Sequence, residues 1–157
     1  MNKAITLSVL TVLAVTGCKQ AGSPVAPAAM ISEADAKSQA DAMVRVWESK
    51  DAAKIKSIYA QDVVAFDYAY GPLEEDRATF DKAQDVFAAA EIDKETQISR
   101  KIQILDAETF IVSGVWNGHS NTKPASNGVV RCTDVFRKDA EGKWLIVNEH
   151  CSVMPKG

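Results

Sequence analysis

Two periods of hydrophobic positions divide the chain. From Ser32 to about Ser49 apolar residues recur every three or four places, at Ala36, Ala40, Met43, Val44 and Trp47, which predicts a helix with one buried face. Ser32 is its expected N-cap, and Glu33 and Asp35 fall in the first turn, where acidic side chains suit the helix dipole. Asp51 opens a shorter second helix carrying Ile55, Ile58 and Tyr59, and "EEDRATFDKAQDVFAAAE" predicts a third that buries Phe80, Ala83, Val86 and Phe87. Between them "VVAFDYAYG" has the β-branched and aromatic character of a strand, stopped by Gly71 and Pro72.

After about Thr96 the period falls to two. "TQISRKIQIL" alternates, "TFIVSGVWNGHS" is a longer run interrupted at Gly114, and "GVVRCTDVFRK" and "KWLIVNEHCSV" flank the tight loop "DAEG". Three helices followed by antiparallel strands is an α+β order.

The segment before Ser32 follows neither period. "MNKAITLSVLTVLAVTGC" has the layout of an export signal: Lys3, an apolar stretch from Ala4 to Val15, then small residues. The stretch is shorter than the about 20 apolar residues a spanning helix needs. Val15, Thr16, Gly17 and Cys18 resemble a bacterial lipobox, with Val15 where Leu is usual. That resemblance implies cleavage before Cys18, diacylation of its sulfur and acylation of the new amino terminus; two or more acyl chains give a durable anchor. Lys19, in the next position, lacks the Asp that resembles an inner-membrane retention signal, so in a diderm bacterium the expected place is the outer membrane, facing the periplasm. "KQAGSPVAPAAMIS" then reads as a tether. The expected division is a signal peptide over 1–17, the lipidated Cys18 and tether over 18–31, and one folded domain over 32–157.

Charge narrows the partners. The net charge of −3 becomes one unit more negative when Lys3 is removed with the leader, so there is no electrostatic case for nucleic acid. Three cysteines are an odd number for an exported chain. If Cys18 carries lipid, Cys132 and Cys151 remain as a candidate disulfide in an oxidising compartment. Pairing the last two strands from Lys138 and Lys143 sets Cys132 opposite Glu149 and diagonal to Cys151; a two-residue adjustment brings the cysteines directly opposite. The rival reading is a pair of buried free thiols. A Cys151 nucleophile activated by His150 is disfavoured, because neighbours along a strand point to opposite faces.

Plain alternation puts His150 and Ser152 on one face with Asn148, Ile146 and Trp144, with no Asp to complete a Ser-His-Asp triad. His119 is expected in a solvated loop. Two histidines without spaced carboxylates suggest no metal site, and nothing suggests a cofactor.

"VWESKDAAKIKSIYAQDVVAFD" and "CTDVFRKDAEGKWLIVNEHCS" together resemble the SnoaL-like bacterial branch of the nuclear-transport-factor-2-like superfamily. The first stretch is similar to that branch's helix-turn-helix and following strand, the second to its last hairpin. The resemblance implies a cone: a curved antiparallel sheet wrapped around the long first helix, a pocket between sheet and helices, and homodimers packed through the outer sheet face. Such cones host isomerases, dehydratases, cyclases and hydrolases as well as plain binding modules.

Within such a cone Trp47, Trp116, Phe66, Phe110 and Phe136 are expected to line the interior, as core or as the wall of a small apolar ligand's pocket. Trp47, Tyr68, Trp116 and His150 are the candidate ligand contacts. Steroid isomerases of this fold pair a general-base Asp with a Tyr and a protonated Asp. Asp67, Asp134 and a phenol from Tyr59, Tyr68 or Tyr70 supply those residue types here, although an Asp in solvent or paired with Arg77 or Arg131 is the plainer reading. The expectation is a lipid-anchored envelope protein that binds a small hydrophobic or amphipathic ligand or an envelope partner. The alternative is a proton-transfer enzyme using Asp67 or Asp134, with Tyr59 among the candidate phenols.

Overall fold

The structure, a computed structural model, describes residues 29–66, 73–90, 92–120 and 126–154. Cys18, Asp67, Tyr68 and Tyr70 lie outside the described residues.

Helix α1 spans Glu33–Glu48 and is capped as its sequence requires: the Ser32 hydroxyl accepts from the Asp35 amide at 3.0 Å. It buries Ala36, Ala40 and Met43. Asp51 caps α2 (Ala52–Ser57), and Asp76 caps α3 (Arg77–Ala89) through its bond from the Thr79 amide. The third helix buries a face shifted from the expected one. Phe80 and Gln84 are inside while Val86 is 72% exposed, because α3 lies against α2 and β1 and turns Val86 away from both.

Arg77 locks that corner together. Its guanidinium donates to the carbonyls of Lys56, Tyr59 and Ala60 and to the Asp81 carboxylate, so one side chain ties α3 to the junction where α2 becomes β1. Tyr59, expected in the second helix, is the first residue of β1 (Tyr59–Phe66).

Four further strands follow: β2 (Ile92–Ile104), β3 (Thr109–Ser120), β4 (Ser126–Lys138) and β5 (Trp144–Val153). The sheet order is β1-β5-β4-β3-β2. Neighbours are antiparallel except β1 and β5, which run parallel, so the expected antiparallel sheet is a mixed one. The long connection through α3 and three strands lets the first and last strands meet side by side in the same direction. His119, expected in a loop, is part of β3.

The sheet curves around the helices, and the core fills the space between them. Phe110 and Phe136 stack at 4.5 Å, Trp144 packs on Phe110 at 4.9 Å, and Ile146 is fully buried beside them. These residues close one end of the interior. Arg100 of β2 reaches α1, where it meets Asp41 at 2.7 Å. Hydrogen bonds from Lys37 and then Arg100 hold the Asp41 carboxyl below the usual carboxylate range.

The last hairpin departs from plain alternation twice. Its strands pair from Lys138 and Trp144 rather than from Lys138 and Lys143, because Asp139 closes the turn by accepting from the Glu141 and Lys143 amides, with Gly142 at φ +85°. Then Phe136 pairs with Ile146 but Val135 pairs with Asn148, so Val147 is an extra residue, a β-bulge. Each departure shifts the register by one residue. Together they set Cys132 directly opposite Cys151, and the two form a disulfide with Cα atoms 4.1 Å apart. Closing a loop of this length contributes about 3 kcal/mol in the chain-entropy account.

Candidate functional site

The bulge at Val147 decides which side chains enter the interior. Before it the even-numbered residues Trp144 and Ile146 face inward; after it the odd-numbered Glu149 does, and His150 is exposed. His150 and Ser152 therefore do not share a face with Trp144 and Ile146, as alternation alone would have it. His150 lies on the outer face beside Phe66, ring centres 5.3 Å apart, and Phe66 is itself 44% exposed rather than interior.

Inside, Glu149 stands directly across from Asp134 of β4, and each residue is only 5% exposed. They share an inner face with the disulfide, whose cysteines form the adjacent inward-facing pair. The Tyr59 hydroxyl, from the start of β1, donates to Glu149 Oε2 at 2.7 Å. Trp47 Nε1, from the last turn of α1, donates to the same Tyr59 oxygen at 3.0 Å. A chain of donors thus runs from helix to phenol to carboxylate, and such chains polarise one another in a low-dielectric interior.

These groups border a cavity of about 70 Å³, room for a few water molecules or one small ligand fragment. Its wall is mostly apolar: Val44 and Trp47 from α1, Phe87 from α3, and Trp116 and Val130 from the sheet. Gln84 adds a buried amide. Gly114 shapes one side. A Cβ there would stand 2.8 Å from Trp116 Nε1, so glycine lets the indole lie against the sheet.

The structure thus brings together four of the sequence candidates, Tyr59, Asp134, Trp47 and Trp116, and puts His150 on the opposite face of the sheet. Asp134 faces neither solvent nor Arg77, whose donors go to Asp81 and to main-chain carbonyls. Glu149 was missed by sequence reasoning, because alternation from Trp144 points it outward and no residue type announces a bulge at Val147. Gln84 was missed because a polar residue on a helix reads as exposed. Among the described residues no group of three His, Cys, Asp or Glu side chains could hold a metal ion, and no helix is long and apolar enough to cross a membrane.

The family model of the SnoaL-like domain matches residues 40–147, more than half of the chain. The chain belongs to the SnoaL-like family. Asp134 falls within the matched span of this SnoaL-like domain, and Glu149 just beyond its end. No curated protein sequence matches it.

Among solved structures, the domain is similar to a Xanthomonas campestris protein given provisionally as a calcium/calmodulin-dependent protein kinase II association domain. The two are 25% identical with a TM-score of 0.70, over 85% of this chain and 97% of that one. It is similar to an NTF2-like protein of unknown function from Pseudomonas putida KT2440, at 16% identity and a TM-score of 0.66, over 82% and 92% of the two chains. A ketosteroid isomerase-like protein from Erwinia carotovora atroseptica matches at 16% identity and a TM-score of 0.63, over 76% and 94%. The SnoaL-like domain therefore has the α+β, nuclear-transport-factor-2-like fold.

Proposed function

We propose that the cavity binds one polar group of a small, mostly apolar molecule and moves a proton on it, with Asp134 as acid and Glu149 as base. The observation that carries this reading is the pair of buried carboxyls facing each other across β4 and β5, one of them held by a phenol at 2.7 Å. Tyr59 donates to Glu149, which suits that carboxyl to the base's part, and Asp134 across from it on the same inner face takes the acid's. Acid and base then stand side by side in one pocket, the arrangement that proton transfer between two positions of a substrate requires. The small cavity favours a compact substrate group over a large ring system filling the cone.

The test starts from whatever small molecule co-purifies with the protein, identified by mass spectrometry and returned to the protein in D₂O. The expected result is deuterium incorporation, lowered about 10²–10⁴-fold by Asp134→Asn or Glu149→Gln. Unlabelled ligand, or labelling that both variants leave intact, would sink the proton-transfer reading. Binding without chemistry is the second reading; the apolar wall of Val44, Phe87, Trp116 and Val130 favours it.

Lipid anchoring belongs to the same proposal. Cys18 in its lipobox-like setting is the acylation site, residues 18–31 the tether, and the periplasmic face of the outer membrane the destination. Cys18→Ser is expected to abolish incorporation of radiolabelled palmitate and to release the protein from the membrane fraction. Undiminished labelling of that variant would refute the assignment. A second copy is expected on the outer sheet face, where Phe66 is exposed, and sedimentation of the Cys18→Ser chain measures it.

A further inference from the structure

The end of β5 can be threaded in two ways. In the structure Val147 is the extra residue, and Asp134 pairs with Glu149, Thr133 with His150 and Cys132 with Cys151. Sliding residues 147–153 by one place removes the bulge and pairs Val135 with Val147, Asp134 with Asn148, Thr133 with Glu149 and Cys132 with His150. Because side chains alternate, that slip exchanges every residue between the faces. Asn148, His150 and Ser152 would turn into the interior; Glu149 and Cys151 would turn out.

Local chemistry does not choose strongly between them. Beyond Ile146 neither face of β5 is a run of large apolar residues, and register is weakly specified where that holds. The bulged threading leaves one residue outside the ladder and puts two carboxyls together in the interior. The slipped threading repairs the β4–β5 ladder and separates them, but it breaks the pairing of Val64, Ala65 and Phe66 in β1 with Asn148, Glu149 and His150. In favour of the bulged form are the three β1 pairs and a few side-chain contacts: Tyr59 to Glu149, Asn148 Nδ2 to the Val64 carbonyl, Arg131 Nε to Ser152, and Phe66 on His150. The disulfide is different in kind. In the slipped threading Cys132 and Cys151 lie on opposite faces and cannot be bonded.

We infer that the Cys132–Cys151 disulfide is the positioning device of the pocket: it holds β5 in the bulged threading that turns Glu149, rather than His150, toward the interior. Reduction releases that hold. A dithiol opens the bond by exchange, giving two thiols while it closes its own disulfide, and the strand end is then free to slip. The pocket floor changes from a pair of carboxyls to Asp134 beside Asn148, with His150 at the former place of Cys151. The consequence for chemistry rests on the proton-transfer reading above; the threading itself does not.

The experiment follows cross-strand Hα–Hα contacts by NMR in the isotope-labelled full chain carrying Cys18→Ser. The oxidised chain is expected to show a contact between residues 132 and 151. With dithiol, or with Cys132→Ser and Cys151→Ser together, that contact is expected to be lost and replaced by one between 132 and 150. Deleting Val147 in the doubly substituted chain removes the extra residue, so plain alternation points Glu149 inward again and the 132–151 contact should return. A doubly substituted chain that keeps the 132–151 contact overturns the inference, because the rest of the fold then holds the bulge unaided. Should that chain not fold, the Val147 deletion decides alone: recovery of the fold with the 132–151 contact supports the inference, and failure to fold overturns it. None of these readouts uses catalysis, so this inference and the proton-transfer reading can fail separately.

Discussion

Tyr59→Phe isolates the hydrogen-bond chain beneath the pocket. The ring is 4% exposed and packs on Phe80 at 4.5 Å, contacts that phenylalanine keeps, so the change removes one oxygen and opens almost no cavity. That oxygen donates to Glu149 at 2.7 Å and accepts from Trp47 Nε1 at 3.0 Å. A bond to a charged acceptor contributes about 1.5–3 kcal/mol, and stranding the half-buried indole N–H costs about 1 kcal/mol more, giving a loss of about 3 kcal/mol. For a domain of this size that lowers Tm by roughly 10 °C. Urea unfolding of the oxidised chain measures it, with an unchanged m-value showing that both states keep their exposed surface. Glu149→Gln completes a double-mutant cycle. It keeps an acceptor but removes the charge, so Tyr59→Phe should cost about 1 kcal/mol less in that background. A cost below about 0.5 kcal/mol for Tyr59→Phe, or equal costs in the two backgrounds, would show that Tyr59 is not holding a charged Glu149.

Gly114→Ala should displace Trp116, since the added Cβ meets the indole nitrogen at 2.8 Å; the expected cost is about 1–3 kcal/mol, with a shift in tryptophan emission, and unchanged emission would contradict it. Arg77→Lys should destabilise nearly as much as Arg77→Ala, by about 2–3 kcal/mol on urea unfolding, because an ammonium cannot span three carbonyls and a carboxylate in one plane. Full stability of the lysine variant would mean that only the charge matters. Asp41→Asn tests a pH window. The folded carboxyl titrates below its ordinary value, so its contribution is fully present above about pH 4 and lost as pH falls through the lower folded value. The stability gap between wild type and Asp41→Asn should therefore close on acidification, and a gap that widens instead would refute the pairing with Lys37 and Arg100.

Local chemistry was legible without coordinates. Ser32 and Asp51 carry their capping oxygens in their own side chains, and apolar spacing in α1 marks Ala36, Ala40 and Met43 as buried. The β3 and β5 runs and the α+β order follow from period and composition in the same way. Cysteine count and compartment suggested the Cys132–Cys151 bond, and Asp134, Tyr59, Trp47 and Trp116 were all on the page as candidates before the structure joined them.

What the chain could not announce were the choices made between distant segments. The parallel contact of β1 with β5 follows from how the whole sheet closes, and the exposure of Val86 from the direction in which α3 meets α2 and β1. The partnership of Asp134 with Glu149 depends on a single extra residue at Val147. A strand's alternation is a local property, but its phase is set by the partner strand. One residue of bulge inverts every later side chain without changing the sequence pattern, so the pocket's second carboxyl came into view only with the tertiary pairing.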